Sequence, residues 1–274
     1  ANYRQDIGNV TVNVGGSLSY VDNKITSIDF LLKEENSIVN EVEGVSLITK
    51  AGEPMYSYFG LKTNGIFNNN DEASQYIGPN GKQATAGDIR YVDVDGNKVI
   101  NELDKMIIGC PIAPIYGGLY ASVAVGNVEF KADFAFSTGN DIYSHVNKLG
   151  QSMQLGQNQQ AIVKKRWNST NTGSDFPALS IGDEYGNNVF SDRWIEDGSY
   201  VRMRSFTVSY KYPKSTKIFD NLTLYLTASN LVTLTSYSGL DPEFMLYNDP
   251  LYLSNDYGKM PQPKSFVFGV KLGL

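Results

Sequence analysis

Cysteine and histidine are almost absent from this sequence of 274 residues, which contains one of each, Cys110 and His145. A single cysteine cannot form an internal disulfide, and it excludes a metal site built from several cysteines. A single histidine excludes a site with several histidine ligands and leaves one candidate for a His-based triad. No nucleophile or orienting acid is identified around His145, so we expect a surface-loop histidine and no enzyme.

Positive charge is also scarce. The 23 Lys and Arg residues are outnumbered by 29 Asp and Glu residues, which gives a formal net charge of −6. Binding to nucleic acid requires a basic surface stripe, so this balance argues against a nucleic-acid partner. The first ten residues have neither a basic segment nor an apolar run, so they do not form a signal peptide.

The sequence has no uninterrupted apolar run that suits a transmembrane helix. Residues 106–128 carry no charge over 23 positions, which is long enough to span a bilayer as a helix. However, Pro111, Pro114 and four glycines interrupt this stretch, and such residues break helices. We therefore expect strands and loops here.

Strands are indicated by apolar and polar residues that alternate with a period of two. Residues 115–125 and 128–137 both alternate in this way, and only Gly126-Asn127 separates them. Glycine and asparagine tolerate the positive φ of a two-residue hairpin turn, so the two runs predict a β-hairpin. Alternation also predicts strands at 10–20, 200–211, 222–229 and 265–274, and a weaker strand at 56–67.

The connections between these strands differ strongly in length. Residues 68–113, 141–198 and 236–264 form long connections that are rich in Asn, Gly, Asp and Tyr. A transmembrane β-barrel has short periplasmic turns and long extracellular loops, whereas compact sandwiches rarely carry loops of this size. The sequence therefore favours an all-β, antiparallel transmembrane barrel segment. Alternation alone leaves open a soluble β-sandwich that binds glycans.

Four motifs resemble the C-terminal part of the SusC/RagA-type TonB-dependent outer-membrane transporters of Bacteroidetes. They are WIEDGSYVRMR at 194–204, SNLVTLTSYSGLDPE at 229–243, the segment 257–269 with PQPKSFVFG, and GCPIAPIYGGL at 109–119 followed by GNDIY at 139–143. Their order and spacing agree along residues 50–274.

The resemblance implies that residues 1–274 are about the last seven strands of a barrel of roughly 22 strands in the bacterial outer membrane. It implies a plug domain, a TonB box and a signal peptide outside this sequence. The whole protein is expected to import a nutrient oligomer, either an oligosaccharide or a peptide, using energy from TonB. A SusD-like lipoprotein would act as its lid, and a dimer of such complexes is among the expected assemblies. A passive porin and a barrel enzyme are the alternatives.

Aromatic and acidic residues in the long loops are the predicted contacts with substrate or lid. Aromatic rings beside carboxylates suit sugars and peptides equally well, and packing or a membrane-interface girdle is the alternative, which Trp194 and Tyr200 resemble. The predicted loop contacts are Tyr237, Asp241, Phe244, Tyr247, Tyr252 and Tyr257. The predicted lumen-facing residues, taken from the polar phase of the strands, are Glu129, Lys131, Asp133, Tyr225 and Lys271.

Residues 93–104 resemble a calcium-binding loop. Its oxygen ligands at positions one, three, five, seven and twelve are Asp93, Asp95, Asn97, the Val99 carbonyl and Asp104. Position six holds a lysine where glycine normally makes the sharp turn, and position twelve holds an aspartate where a bidentate glutamate is usual. The sequence thus predicts calcium in a surface loop and no other cofactor, with a solvated Asp-Gly turn as the alternative.

Overall fold

The computed structural model describes residues 1–28, 37–153, 158–213, 220–243 and 249–273. In chain order the strands are β1 (Asn2–Ile7), β2 (Val10–Tyr20), β3 (Ser37–Val42), β4 (Val45–Lys50), β5 (Ser57–Gly60), β6 (Thr63–Ile66), β7 (Ile89–Tyr91), β8 (Met106–Gly109), β9 (Ile115–Val125), β10 (Val128–Thr138), β11 (Asp141–Ser144), β12 (Ile195–Asp197), β13 (Tyr200–Lys211), β14 (Asn221–Ser229), β15 (Thr233–Thr235), β16 (Asn255–Asp256) and β17 (Ser265–Gly273). The helices are α1 (Asn70–Ala73) and α2 (His145–Gln151), with 3-10 turns at Glu102–Asp104, Ala161–Lys165, Asp192–Trp194 and Pro250–Tyr252.

One large antiparallel sheet organises the molecule, in the order β1-β2-β9-β10-β13-β14-β17, with β15 pairing beside β13. The predicted hairpin is confirmed, because β9 and β10 pair along their whole length from Val125 opposite Val128. Gly126 in its turn has a φ of +58°, the left-handed region that favours glycine. The uncharged stretch 106–128 forms β8 and β9, as the breaker residues predicted.

The membership of the large sheet differs from the prediction at three places, one of which is the short β15, a strand that alternation did not predict. The expected strand at 56–67 was wrong as a member of this sheet, because it divides into β5 and β6, which belong to two small sheets. Tyr58 and Phe67 are buried there in packed cores. A strand that alternation did not predict, β1, pairs with β2 across the turn Gly8-Asn9.

The apolar face of the large sheet is uncovered. Phe130 lies opposite Val208, which lies opposite Leu226, and Leu226 lies opposite Phe268. Leu226 is 50% exposed and Phe268 is 69% exposed. In a β-sandwich the corresponding face is a packed core between two sheets. The exposed apolar side chains are instead those expected of a face turned towards lipid.

The long connections all leave the same end of the large sheet, and the short turns lie at the other end. We call the described parts of 21–114, 139–199 and 230–264 the loop layer. It contains three small sheets, β3-β4-β5-β8, β12-β11-β16 and β6-β7. The predicted asymmetry of short turns and long loops is therefore present in the fold.

The buried hydrophobic residues of the chain lie mainly in the loop layer, in two clusters. The first core contains Leu61, Phe67, Ala73, Ala84, Ile89, Tyr91, Ile100 and Tyr185. The second core contains Val45, Leu47, Tyr58, Tyr143, Phe190 and Trp194. Trp194 was predicted to be a girdle residue, and this was wrong, because its side chain is completely buried among the second core.

Among the described residues, no helix is both long enough and apolar enough to cross a membrane.

Candidate functional site

The five residues predicted to face the lumen share the polar face of the large sheet. Directly opposite residues in a sheet project from the same face. Glu129 lies opposite Ser209, which in turn lies opposite Tyr225. Two residues before Tyr225 on β14, Thr223 lies opposite Lys271. Lys131 and Asp133 follow Glu129 in the same phase of β10, so all five side chains project from one face.

Polar contacts join neighbouring strands on this face. Ser205 donates a hydrogen bond from its hydroxyl to Asp133 at 2.6 Å, and the Lys131 ammonium lies 3.4 Å from the same carboxylate. The Lys271 ammonium lies 5.4 Å from the centre of the Tyr225 ring, which covers Gly269 on the next strand. These polar contacts therefore lie on the face of the sheet opposite the apolar one.

Two of the recognised motifs meet at the N-terminal end of β13. Arg202, from the 194–204 motif, is buried, and its guanidinium pairs with Asp241 from the 229–243 motif. Arg202 also lies 3.1 Å from Glu243 and donates from Nε to the Thr233 hydroxyl at 3.1 Å. Arg204 pairs with Glu243 as well. The motifs thus supply the two halves of one ion cluster.

Asp241 fixes the long connection between β15 and β17 in place. Besides pairing with Arg202, its carboxylate accepts backbone N–H groups from Glu243 and Gln262, each at 2.9 Å. Burial raises the pKa of Asp241, but these two N–H groups and the guanidinium more than offset it, so the pKa lies below its usual value. Asp241 was predicted to contact substrate or lid. Because it is only 6% exposed and fully engaged, the structure places it as an internal clamp.

The same two motifs have a second junction. Glu196 accepts hydrogen bonds from the backbone N–H and the hydroxyl of Ser238, both at 2.9 Å. Asp197 accepts from the backbone N–H of Ser199 at 2.9 Å and from the Ser236 hydroxyl at 3.0 Å. The acidic pair of the 194–204 motif therefore fixes residues 236–238 against β12.

The predicted loop tyrosines are only partly surface residues. Tyr237 is 5% exposed and donates its hydroxyl proton to Asp256 at 2.6 Å, so it does not present its ring to a ligand. Tyr252 and Tyr257 are half-buried, with ring centres 6.3 Å apart. Phe244 and Tyr247 lie outside the described residues.

His145 belongs to the same aromatic group, which the sequence did not indicate. It begins α2, its ring centre lies 4.8 Å from that of Tyr257, and its Nδ1 lies 3.1 Å from the Tyr143 hydroxyl. Burial and the nearby Lys148 ammonium lower the pKa of His145, against an opposing effect of Glu43. The ring is therefore partly packed, in contrast to the predicted surface-loop histidine.

Three of the five predicted ligands in the acidic loop lie close together. Carboxylate oxygens of Asp93, Asp95 and Asp104 lie within 4.8 Å of one another. Lys98 has a φ of +63°, so it adopts the left-handed conformation that glycine usually supplies at position six. Ile100, at position eight, is buried in the first core and anchors the loop. The three carboxylates also accept backbone N–H groups within the loop, as in the alternative of an Asp-Gly turn, from Gly96 and Lys98 at Asp93, from Asn97 at Asp95, and from Val94 and Asn101 at Asp104. Calcium binding stays a prediction.

We expect calcium to slow hydrogen exchange in residues 93–104 of the whole receptor, with a dissociation constant of about 0.1–1 mM, as in extracellular calcium modules. Asp95→Asn should weaken this response about tenfold, because the exposed Asp95 would lose a ligand charge at little cost to the fold. Glu102→Gln, which changes an exposed carboxylate of the loop that is not a predicted ligand, is the matched control. Exchange that is unchanged at about 5 mM calcium would contradict the prediction.

Tyr58 is an important residue that sequence reasoning missed. Its buried hydroxyl lies 2.9 Å from the Ser254 carbonyl and 3.0 Å from Asn255 Oδ1, and it accepts the backbone N–H of Tyr143 at 3.3 Å. It therefore links all three long connections. Ser254 and Asn255 are 196 and 197 residues away from Tyr58 in the chain, so no local sequence pattern could have indicated these contacts.

An open sheet with one apolar and one polar face and with packed loops at one end is the arrangement expected of part of a transmembrane β-barrel. No family model matches the sequence. TonB-dependent receptor P3 of Formosa agariphila is 28% identical over 236 residues, which are 82% of this chain and 23% of that protein. TonB-dependent receptor SusC of Bacteroides thetaiotaomicron is 26% identical over 188 residues, covering 66% of this chain and 17% of SusC.

Solved structures agree in fold. The RagAB peptide transporter matches 99% of this chain with a TM-score of 0.77 and 22% identity, over 28% of the matched chain. The RagAB peptide importer in its open-open state matches with a TM-score of 0.76 and 18% identity. The chain spans about a quarter or less of the length of these relatives. The resemblance that its motifs predicted is confirmed, and the chain is related to TonB-dependent receptors of the SusC/RagA type.

Proposed function

We propose that this chain forms part of the barrel wall of an outer-membrane importer. The observation that carries this proposal is the large sheet, whose apolar face is exposed along β2, β14 and β17 while its other face is polar. Side chains of this sheet would face lipid on one side. Glu129, Lys131, Asp133, Tyr225 and Lys271 would face the lumen or its plug on the other side.

The loop layer would be the extracellular wall of the importer. Its two packed cores and the ion cluster at Arg202 hold the connections in one arrangement, which suits a surface that receives a substrate or a lid. Among the predicted contacts that the structure describes, Tyr252 and Tyr257 are partly accessible. By family resemblance, a SusD-like lipoprotein would cover this layer and TonB would energise import of an oligosaccharide or a peptide. This role requires no chemical catalysis.

The two faces can be distinguished by spin labels at adjacent residues of β10. The labels are introduced into a protein that carries Cys110→Ser and has no other cysteine. A label at Phe130→Cys should collide more often with dissolved oxygen, which concentrates in lipid, than with a water-soluble reagent. A label at Lys131→Cys should collide more with a water-soluble nickel chelate. The pair is matched, because Phe130 and Lys131 are neighbours on β10 and both are exposed.

Equal access of the nickel chelate to both labels in lipid vesicles would contradict the lipid-facing assignment. A second pair, Val208→Cys and Thr207→Cys on the neighbouring strand, should repeat the contrast because it lies opposite the first.

Active import is tested in cells with and without the whole receptor. Uptake of labelled oligosaccharides and peptides should require the receptor and should stop when a protonophore removes the inner-membrane gradient. Receptor-dependent uptake that continues with the protonophore would favour the passive porin. The class of molecule that enters identifies the cargo.

A further inference from the structure

A groove of about 340 Å³ lies where the apolar face of the large sheet meets the loop layer. Part of its lining is apolar. Phe136 lies opposite Val201, which lies opposite Leu234, so these side chains of β10, β13 and β15 share the apolar face. Val201 is 43% exposed and Leu234 is 65% exposed. The groove therefore continues the surface that faces lipid in the proposed importer.

The rest of the lining is mainly polar and lies beyond the ends of these strands. It includes Thr138, Asp197, Ser199 and Ser236. The Ser199 hydroxyl donates to the Thr138 hydroxyl at 3.1 Å, and the Ser236 hydroxyl donates to Asp197 at 3.0 Å. A molecule that fills the groove would contact apolar side chains at one end and a carboxylate with hydroxyl groups at the other.

The position of the groove corresponds to one edge of the lipid-facing band. Phe136 lies eight residues beyond Val128 on the same face of β10, which is about 27 Å along the strand. Barrel strands are tilted by about 35–45°, so the two side chains differ in depth by about 20 Å, close to the apolar band of about 25 Å. Val128 lies beside the short hairpin turn. The groove therefore lies at the opposite edge of the band, where lipid head groups begin.

The polar end of the groove is negatively charged. Asp197 is exposed, and hydrogen bonds from Ser199 lower its pKa, so its carboxylate is ionised at neutral pH. Asp141 lies opposite Asp197 in the β11-β12 pair and adds a second carboxyl group on the same face. Neither lysine nor arginine is among the described residues that line the groove. The charge therefore favours a cationic head group over an anionic one.

The Asp197 carboxylate also has acceptor positions left for a ligand. An ionised carboxylate has about four of them. The backbone N–H of Ser199 uses one oxygen and the Ser236 hydroxyl uses the other, at 2.9 and 3.0 Å. A group with several N–H donors can therefore bind to both oxygens from the exposed side.

We infer that this groove binds a membrane lipid whose head group ends in a primary ammonium, such as phosphatidylethanolamine. Its acyl chain packs on Val201 and Leu234, and its ammonium donates to Asp197. The Thr138 hydroxyl has a proton to donate to the phosphate. A choline head group has the same charge but no N–H donor, and a glycerol head group has no cation, so both bind less well. This inference rests on the proposed lipid-facing role of the sheet.

Binding is tested by fluorescence quenching in the whole receptor, reconstituted in phosphatidylcholine vesicles. The receptor carries Cys110→Ser, no other cysteine, and a fluorescent label at Val232→Cys. Val232 is 48% exposed, does not line the groove and lies two residues before Leu234. The quenchers are phosphatidylethanolamine, phosphatidylcholine and phosphatidylglycerol, each with a nitroxide on its acyl chain. The ethanolamine lipid should quench about three- to fivefold more effectively than the other two, the effect of one favourable exposed ion pair.

A label at Phe268→Cys, on the same face but away from the groove, separates this inference from the proposed function. All three lipids should quench that label equally. If none of them quenches it, the sheet does not face lipid, and the proposed function and the lipid site both fail. If all three quench equally at both positions, the sheet faces lipid and only the lipid site is overturned.

Asp197→Asn should abolish the preference for the ethanolamine lipid at the Val232→Cys label. The amide keeps an oxygen for the Ser199 N–H, and hydrogen exchange in β12 and β15 shows whether the fold is kept. Asp175→Asn, which changes an exposed carboxylate of the loop layer outside the groove, is the matched control and should keep the preference. The inference is also overturned if phosphatidylglycerol quenches best at Val232→Cys, or if folded Asp197→Asn retains the preference.

Discussion

Asp241→Ala is expected to release the connection that follows β15, at a cost of about 3 kcal/mol in local stability. Arg202 would remain buried without its main carboxylate, and breaking a buried pair in this way costs about 3–5 kcal/mol. The lower end applies because Glu243 stays 3.1 Å from the same guanidinium. Hydrogen exchange in residues 249–262 should become roughly 10²-fold faster, while β9 and β10 should be unaffected.

One variant separates the charge of Asp241 from its shape, and a second variant is a control in the same connection. Glu243 and Gln262 donate to different oxygens of Asp241, so Asp241→Asn keeps an oxygen for one of these two N–H groups and its effect should be smaller than that of alanine. Asp249→Ala removes an exposed carboxylate from the same connection and should cost about 1 kcal/mol, the value of a lost helix cap. If hydrogen exchange in residues 249–262 of Asp241→Ala is as slow as in the parent protein, Asp241 is not a clamp. Its predicted role as a surface contact is then restored.

The pH dependence of this clamp follows from the lowered pKa of Asp241. A carboxyl whose pKa is lower in the folded state stabilises the fold above its unfolded pKa, about 3.9, and loses this contribution as the pH falls through the folded value. The clamp should therefore be fully effective at neutral pH, and acid should weaken it only below about pH 4.

The strands of the large sheet were predictable because each has one apolar and one polar face. Alternation located β2, β9, β10, β13, β14 and β17 with boundaries within a residue or so. It missed β1 because NYRQDI has few apolar residues to alternate. The pair Gly8-Asn9 repeats the chemistry of Gly126-Asn127, and Gly8 also has a positive φ, of +59°. That repeated turn signal could have indicated the first hairpin.

The recognised motifs were predictable as sequence but not as contacts. The pattern of the 194–204 motif gave no indication that Arg202 and Glu196 bind residues of the 229–243 motif. Such contacts depend on the way three long connections fold over one end of the sheet. A carboxylate in a loop has the same appearance in sequence whether it is solvated, as Asp249 is, or buried, as Asp241 is.

The loop layer explains the largest error of sequence reasoning. Aromatic residues in loops between barrel strands suggested a girdle or a ligand surface, because loops usually lie exposed to solvent. In this chain the loops are long enough to form small sheets and to bury two cores of their own. Tyr58, Tyr143 and Trp194 are therefore packed inside, and the apolar side chains of the large sheet are the exposed ones.

Trp194→Ala is expected to have the largest effect among the core residues, about 3–5 kcal/mol, the usual cost of truncating a buried aromatic side chain. The indole is completely buried and donates from Nε1 to the Val189 carbonyl at 3.0 Å. The Arg193 guanidinium stacks on it at 4.4 Å, so the substitution would remove this cation–π contact as well. Exchange in β4, β11 and β12 should become roughly 10²- to 10³-fold faster.

Trp194→Phe keeps most of the ring and loses the hydrogen bond, so its cost should be nearer 1–2 kcal/mol. Trp167→Phe changes the other tryptophan, which is half-buried and donates to Asn68 at 3.2 Å, and should cost less than about 1 kcal/mol. A girdle tryptophan would behave in the opposite way, because its loss would alter insertion in the membrane and leave loop exchange unchanged. Faster exchange in the second core with normal membrane insertion thus distinguishes a packed loop layer from a girdle.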